Sequence, residues 1–221
     1  MPRRRSSVIA LGCFGVVAAV DLAAELLGWR PVALGCRVLL MPLLAWLVWV
    51  TVPVRTRLVI LLLIALGFSW LGDLSSAVLI KIAFFLVAQI VYVVAFRPYW
   101  RQSLISRPAL AVAYGTALSA LVALVASAAG PLTVPVGVYG ASLAVMAVLA
   151  TGVGRLTGLG GVLFLVSDLV LAVELFVAPG VLPYALFANM ALYLPAQLLI
   201  TLGVLRRVAT EVGPPVPDRV A

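Results

Sequence analysis

The sequence predicts an all-α membrane protein, built as a bundle of about eight transmembrane helices with both termini in the cytoplasm. Of its 221 residues, 65% are hydrophobic and only 10% are charged, whereas a soluble domain carries about 25% charged residues. Apolar runs long enough to cross a bilayer recur along the chain. Open sheet edges are excluded in lipid, and the runs are too continuous for the alternating strands of a barrel.

The apolar runs divide the chain into eight predicted spans, separated by Gly, Pro and charged residues. The spans cover residues 8–28, 32–50, 58–75, 77–96, 108–129, 132–151, 158–178 and 181–205. We therefore predict a single transmembrane domain over residues 1–207. The remaining residues, 208–221, are predicted to be a disordered cytoplasmic tail, because they are rich in Gly and Pro.

Arginines indicate the orientation of the bundle. If the N-terminus is inside, the opposite side receives only Arg30. The inner side receives Arg3, Arg4, Arg5, Arg55, Arg57, Arg97, Arg101, Arg107, Arg155, Arg206, Arg207 and Arg219. This bias follows the positive-inside rule and predicts cytoplasmic termini. It also accounts for the net charge of +8, so nucleic acid is not an expected partner.

Ionisable side chains lie within the predicted spans, where they are costly and mark function by default. They are Asp21, Glu25, Arg37, Asp73, Lys81, Asp168 and Glu174. Counting about 1.5 Å per residue from the cytoplasmic arginines places all of them near the bilayer midplane or in its outer half. The cytoplasmic half of the predicted bundle has none.

Helical spacing gathers polar residues onto common faces. These groups are Ser69, Asp73 and Ser76; Asn189, Tyr193 and Gln197; Asp21 and Glu25; and Gln89 and Tyr92 with Lys81. Lipid would penalise such faces, so we expect them to point into the bundle. The sequence therefore predicts one polar cavity, closed toward the cytoplasm and open toward the outer side.

The charges of this polar layer do not balance. Five acids meet two bases, which would give a net charge of −3 if all were ionised. Either some carboxyls stay protonated or a cationic ligand balances them. A protonated carboxyl beside an ionised one suits acid–base chemistry on acetal-like bonds.

Plainer interpretations of individual residues remain open. Arg37 would be only a structural partner of Asp21 or Glu25, and Asp73 and Glu174 would be span-end residues wetted by interfacial water.

The chain has no His, so neither a zinc or haem site nor a Ser–His–Asp triad is expected. We predict no metal and no cofactor.

Six segments, in order and at matching spacing, resemble motifs of the YhhN family of lysoplasmalogenases, which are small eight-span membrane proteins. The segments are RVLLMPLL at 37–44 (family KPLxMPLL), GFSWLGD at 67–73 (FSxxGD), AQIVY at 88–92 (AHxxY), PVGVY at 135–139 followed by Met146 (PVxxY…M), GVLFLVSD at 161–168 (GxxxFxxSD) and YLPAQ at 193–197 (YYxAQ). The resemblance covers nearly the whole chain.

The resemblance implies hydrolysis of the vinyl ether bond of a lysoplasmalogen, giving a fatty aldehyde and a glycerophospho-headgroup. Such a bond is cleaved by protonating its β-carbon, after which water attacks the resulting cation. Asp73 and Asp168 are the expected catalytic pair, without an assignment of acid and base. The other expected site residues are Ser69 and Ser167 to orient the acids, Arg37 and Lys81 to hold the phosphate, and Gln89, Tyr92, Tyr139, Asn189, Tyr193 and Gln197 to line the site.

The sequence departs from the family pattern at two places. Gln89 stands where the family usually has His, so no proton transfer at that position is possible here. Arg37 and Val38 replace a Lys–Pro pair. The expected partners are a lysophospholipid substrate and membrane lipid, with the oligomeric state left open.

Two further expectations concern location and the competing function. One Lys against fourteen Arg, with abundant Ala and Val, suggests a GC-rich genome and a bacterial inner membrane. The alternative function is a proton-coupled transporter or a lipid-binding protein that uses the same carboxylates.

Overall fold

A computed structural model describes residues 2–212 of the chain. Its eight long helices are α1 (Pro2–Leu26), α2 (Arg30–Thr51), α3 (Arg57–Leu74), α4 (Val78–Phe96), α5 (Pro108–Ala128), α6 (Thr133–Val153), α7 (Arg155–Ala172) and α8 (Ala185–Val212). Short 3-10 turns follow α4 and precede α6, and a π-helical turn, Val173–Val177, continues α7. No strand occurs within residues 2–212.

The predicted fold class is confirmed: eight helices are long and apolar enough to cross a membrane. The protein is a multi-pass integral membrane protein, and most helix ends lie within two residues of the predicted spans. The larger differences are that α1 begins six residues earlier, at Pro2, and that α7 ends six residues earlier, at Ala172, where the π-helical turn takes over. Helix α8 continues to Val212, past the predicted boundary at 207. The rest of the predicted tail, 213–221, lies outside the described residues.

Seven of the helices form a ring in which each packs against the next. The order is α1, α2, α3, α4, α6, α7 and α8, and α8 closes the ring against α1 while also contacting α2 and α3. Helix α5 lies outside this ring and packs mainly on α6. Of its residues only Val125 and Ala126 are buried. Helix α5 is therefore the least buried of the eight spans.

Local sequence signals fix several helix starts. The Thr56 side chain accepts a hydrogen bond from the Val59 amide at 3.3 Å and so caps α3. Pro31 and Pro108 lie in the first turns of α2 and α5, where a proline costs no hydrogen bond. Gly28 adopts a φ of +69° in the short turn between α1 and α2. Short turns of this kind make consecutive helices antiparallel neighbours.

Helix ends that carry arginines meet on one side of the bundle, here called the arginine-rich side. At this side Ser7 of α1 hydrogen-bonds Thr51 of α2 at 3.0 Å. Arg207 of α8 donates to Gln102 at 3.1 Å, which ties the end of α8 to the turn that follows α4. The opposite side carries the turns that lead into α2, α4, α6 and α8.

Close contact between α7 and α8 depends on glycine. A Cβ added at Gly160 would lie 2.8 Å from the Ala196 carbonyl oxygen and 2.9 Å from the Ile200 backbone nitrogen. Both are backbone atoms and cannot move aside without separating the helices. Small residues allow this approach of membrane helices, whose association is driven mainly by packing.

We expect Gly160→Ala to destabilise the bundle, because the new methyl group meets backbone atoms of α8. Overpacking of this kind costs about 1–3 kcal/mol. Thermal unfolding of the purified protein in detergent measures the effect as a lower Tm. Gly35→Ala in α2 is the matched control, since a Cβ there meets nothing within 4 Å. Equal Tm values for the two variants would contradict this packing.

Candidate active site

A cavity of about 210 Å³ lies among α3, α4, α6, α7 and α8, in the half of the bundle away from the arginine-rich side. Its polar lining consists of Asp73, Ser76, Lys81, Tyr139, Asp168, Asn189 and Tyr193. Ser76, Val78 and Leu186 line its outer part and are exposed. The cavity therefore opens toward the side opposite the arginines.

Asp73 lies at the end of α3 and is 6% exposed. The Tyr193 hydroxyl of α8 donates to its carboxylate at 2.9 Å. Lys81 lines the same cavity. Asp73 thus has one hydrogen-bond donor and shares its cavity with one cation.

Asp168 lies on α7, directly after the buried Ser167. Its carboxylate accepts a hydrogen bond from the Tyr139 hydroxyl of α6. The Ser167 hydroxyl approaches the other carboxylate oxygen at 3.4 Å, but its shorter hydrogen bond, at 2.8 Å, goes to the Phe164 carbonyl. Tyr139 lines the same cavity as Asp73 and Asp168.

Asn189 and Lys81 supply the remaining polar groups of the cavity wall. The Asn189 amide donates to the Ser167 carbonyl at 2.9 Å, which holds α8 against α7 beside Asp168. Lys81 is half-buried, and within residues 2–212 no carboxylate lies within 4.0 Å of its ammonium group. Its charge is attracted by Asp73 at longer range. Lys81 is thus a cation available to a ligand.

Three aromatic rings close the cavity toward the arginine-rich side. Phe164 and Tyr193 meet edge to face with centroids 5.3 Å apart, and Phe85 meets both at 6.3 and 5.9 Å. Such edge-to-face contacts are a favourable arrangement for aromatic pairs. The rings form a floor on the arginine-rich side of Asp168, in which Phe85 and Tyr193 line the cavity and Phe164 packs behind them.

A buried hydrogen-bond network lies below this floor. The Gln197 amide oxygen accepts from the Tyr92 hydroxyl at 2.8 Å, and its amide nitrogen donates to Ser69 at 3.1 Å. The same nitrogen lies 3.3 Å from the Tyr193 hydroxyl, which in turn donates to Asp73. Ser69, Tyr92 and Gln197 therefore do not line the cavity but connect to it through Tyr193.

Arg37 belongs to a separate cluster. It forms an ion pair with Glu25, and its Nε lies 3.7 Å from the Asp21 carboxylate. All three residues lie on α1 and α2 and none lines the cavity. The structure thus divides the predicted polar layer into two parts, and Arg37 is held by the acids that the sequence offered as its structural partners.

Glu174 has a local role at the end of α7. Its carboxylate accepts hydrogen bonds from the backbone amides of Gly180 at 2.8 Å and Leu182 at 3.3 Å. These contacts order the turn between α7 and α8, where Gly180 has a φ of +79°. Glu174 does not line the cavity.

Gln89 is fully buried beside Tyr139, and neither its amide oxygen nor its nitrogen has a hydrogen-bond partner among the described residues. It does not line the cavity. This is the position where the family motif has His, and the Gln89 side chain lies against the hydroxyl of Tyr139, which itself lines the cavity.

Sequence reasoning misses the apolar half of the cavity wall. Phe85, Val136, Phe176, Leu186 and Met190 line it together with the polar groups. In a chain that is 65% hydrophobic, a cavity-lining apolar residue has the same signature as one facing lipid. Ser76 was placed on the face of Asp73 by spacing alone, and the structure puts it on the cavity wall.

The fold and this site define a multi-pass helical membrane protein with two carboxyls in one buried cavity. The family model described as "YhhN family" matches residues 32–204. The chain therefore belongs to the YhhN family. The matched region includes every residue of the cavity lining.

One curated relative is lysoplasmalogenase TMEM86B of Rattus norvegicus, which is 44% identical over 75 residues. The aligned stretch is 34% of this chain and 31% of the relative, so it covers about a third of each protein. No solved structure matches the chain.

We expect Gln197→Met to destabilise the bundle, because it leaves the buried Tyr92 and Ser69 hydroxyls without their partner. Leaving a buried polar group unsatisfied costs about 1–3 kcal/mol. Thr201→Val, one turn further along α8, is the control, since the buried Thr201 hydroxyl has no hydrogen-bond partner among the described residues. Thermal unfolding should show a lower Tm for the first variant only; a similar loss in both would argue against the network.

Proposed function

We propose that the protein is an intramembrane hydrolase that cleaves the vinyl ether bond of lysoplasmalogens to a fatty aldehyde and a glycerophospho-headgroup. The observation that carries the proposal is the pair Asp73 and Asp168 on one cavity within a transmembrane bundle. Membership of the YhhN family and the name of the rat relative support the same substrate class.

The reaction needs a proton donor for the β-carbon of the vinyl ether and a carboxylate for the cation and the attacking water. Asp73 and Asp168 are proposed for these two tasks. Tyr193 and Tyr139 hold their carboxyl groups in place by hydrogen bonds. Because Tyr193 is itself held by Gln197, the buried network positions Asp73 without touching substrate.

The headgroup requires a cation that is free to meet a phosphate. Lys81 meets this requirement, since it lines the cavity and no carboxylate occupies its ammonium group within residues 2–212. Arg37 is engaged by Glu25 and Asp21. We therefore assign the phosphate to Lys81 and give Arg37 a structural role with Glu25 and Asp21.

The orientation follows from the arginines. We propose that the arginine-rich side faces the cytoplasm and that the cavity opens to the outer side of a bacterial inner membrane. A transporter would need access from both sides, whereas the three rings of Phe85, Phe164 and Tyr193 and the Gln197 network close the cavity on the arginine-rich side. This closure favours a hydrolase over the transport alternative.

We expect purified wild-type protein in detergent to release aldehyde from a vinyl-ether lysophospholipid, and Asp73→Asn or Asp168→Asn to lower the rate by about 10²–10⁴-fold, as for loss of a general acid or base. Glu174→Gln, in the turn that continues α7, is the matched control, because its amide oxygen can still accept from Gly180 and the residue does not line the cavity. Aldehyde release by a folded Asp168→Asn at the wild-type rate would contradict the proposed pair.

We expect Lys81→Met to raise KM severalfold with a smaller change in kcat, since the lost charge acts on the headgroup phosphate rather than on the reacting bond. Lys81→Arg should retain most of the affinity, because it keeps a positive charge that can bind phosphate. Steady-state kinetics over a range of substrate concentrations gives both constants. An equal loss for Met and Arg would show that the charge does not bind the headgroup.

A further inference from the structure

A second, narrow groove reaches Asp168 from the lipid-facing side of the bundle. It lies among α5, α6 and α7 and shares four residues with the cavity: Val136, Tyr139, Asp168 and Ala172. Apart from Tyr139 and Asp168, its lining is aliphatic or glycine, and includes Leu118, Leu121, Val122, Leu143, Leu165 and Leu169. The carboxyl of Asp168 thus stands between a polar and an apolar compartment.

The two compartments match the two parts of a lysophospholipid: the cavity is polar like the headgroup, and the groove is apolar like the hydrocarbon chain. The cavity carries Lys81, Asp73 and Asn189, whereas the groove offers only hydrocarbon beyond Asp168 and Tyr139. In a lysoplasmalogen the vinyl ether is the link between the hydrocarbon chain and the glycerol. A molecule with its phosphate at Lys81 and its chain in the groove would therefore have this bond at Asp168.

The sparse packing of α5 leaves room for the hydrocarbon chain of the substrate to enter the groove. Helix α5 lies outside the ring of seven helices, and only Val125 and Ala126 of it are buried. From Asp168 the groove runs along Leu118, Leu143 and Leu165, away from the ends of α5 and α7 at the cavity opening. A hydrocarbon chain can enter here directly from the bilayer, without leaving an apolar environment.

The geometry points to the groove among α5, α6 and α7 as the binding site of the substrate's single hydrocarbon chain, which makes Asp168 the proton donor and Asp73 the carboxylate that faces water. This inference rests on the proposed vinyl ether hydrolysis. The β-carbon lies on the chain side of the double bond, and Asp168 is the carboxyl on that side. Asp73 lines only the polar cavity, which it shares with the cation Lys81.

The reaction balances with water as the sole co-reactant. Asp168 gives its proton to the β-carbon, and the electron pair of the double bond forms the new C–H bond, leaving an oxocarbenium ion. Water adds to the α-carbon and loses a proton to Asp73, which gives a hemiacetal. The hemiacetal breaks its bond to the glycerol oxygen, the hydroxyl proton moves to that oxygen, and aldehyde and alcohol leave. A proton then returns from Asp73 to Asp168 through cavity water.

The test compares two vinyl-ether lysophospholipids with the same headgroup, one with a 1-octadecenyl and one with a 1-octenyl chain, each with three proteins. Leu118→Trp narrows the groove beyond Asp168. Leu124→Trp is the matched control, because it makes the same change on the same helix at a residue that is 62% exposed. Aldehyde release gives kcat/KM for each pair of protein and substrate.

We expect Leu118→Trp to lower kcat/KM for the long chain by about tenfold or more and for the short chain by about threefold or less, since bulk in an apolar site discriminates by chain size. Leu124→Trp should change neither. An equal loss on both chains, or no loss on either, overturns the groove as the chain site. If the wild-type protein releases no aldehyde from either chain, the proposed function itself has failed, which is a different result.

Discussion

A carboxyl group inside a bilayer can find partners only within the protein, and the architecture of this chain depends on that constraint. Each of the two cavity acids is met by a tyrosine from another helix: Tyr193 of α8 donates to Asp73 of α3, and Tyr139 of α6 donates to Asp168 of α7. The two hydrogen bonds hold four helices around one cavity. They also leave part of each carboxyl facing the cavity, where a ligand can meet it.

The polar residues of the bundle fall into groups with different consequences. Asp21, Glu25 and Arg37 form ion pairs that join α1 to α2. The Gln197 network lies beneath the aromatic floor and supports Tyr193. The cavity itself keeps one unpaired cation, Lys81, and two carboxyls. Polar residues with structural roles thus surround a smaller set of polar residues that is available for binding and chemistry.

Much of the fold follows from the sequence, because composition and apolar length decide it. The eight spans were placed by breakers such as Gly28 and Pro131, and Asp73 and Asp168 were identified by the cost of an acid in lipid. The order of helices around the ring could not be predicted, since α8 lies against α3 and α5 lies outside. Depth in the membrane does not distinguish Arg37 from Lys81 as a ligand for the phosphate. Only the packing of the helices shows that Arg37 is paired with acids and that, within the described part of the chain, Lys81 is not.

The apolar parts of the site were also beyond sequence reasoning. A leucine such as Leu118 or Leu165 looks alike whether it faces lipid, a neighbouring helix or a substrate chain. The glycines of α7 are a similar case, because only the structure shows that Gly160 meets the backbone of α8. Function in this protein therefore combines a few polar residues that are easy to find with an apolar surface that is not.

The most direct test of the account is a crystal structure with a saturated alkyl-ether lysophospholipid, which has the shape of the substrate but no double bond to protonate. The account predicts that its ether oxygen lies between the carboxyls of Asp73 and Asp168, with the phosphate at Lys81 and the chain leaving past Asp168. Density for the lipid elsewhere on the bundle, with the cavity empty, would contradict the central claim that the two carboxyls act on one bound ether.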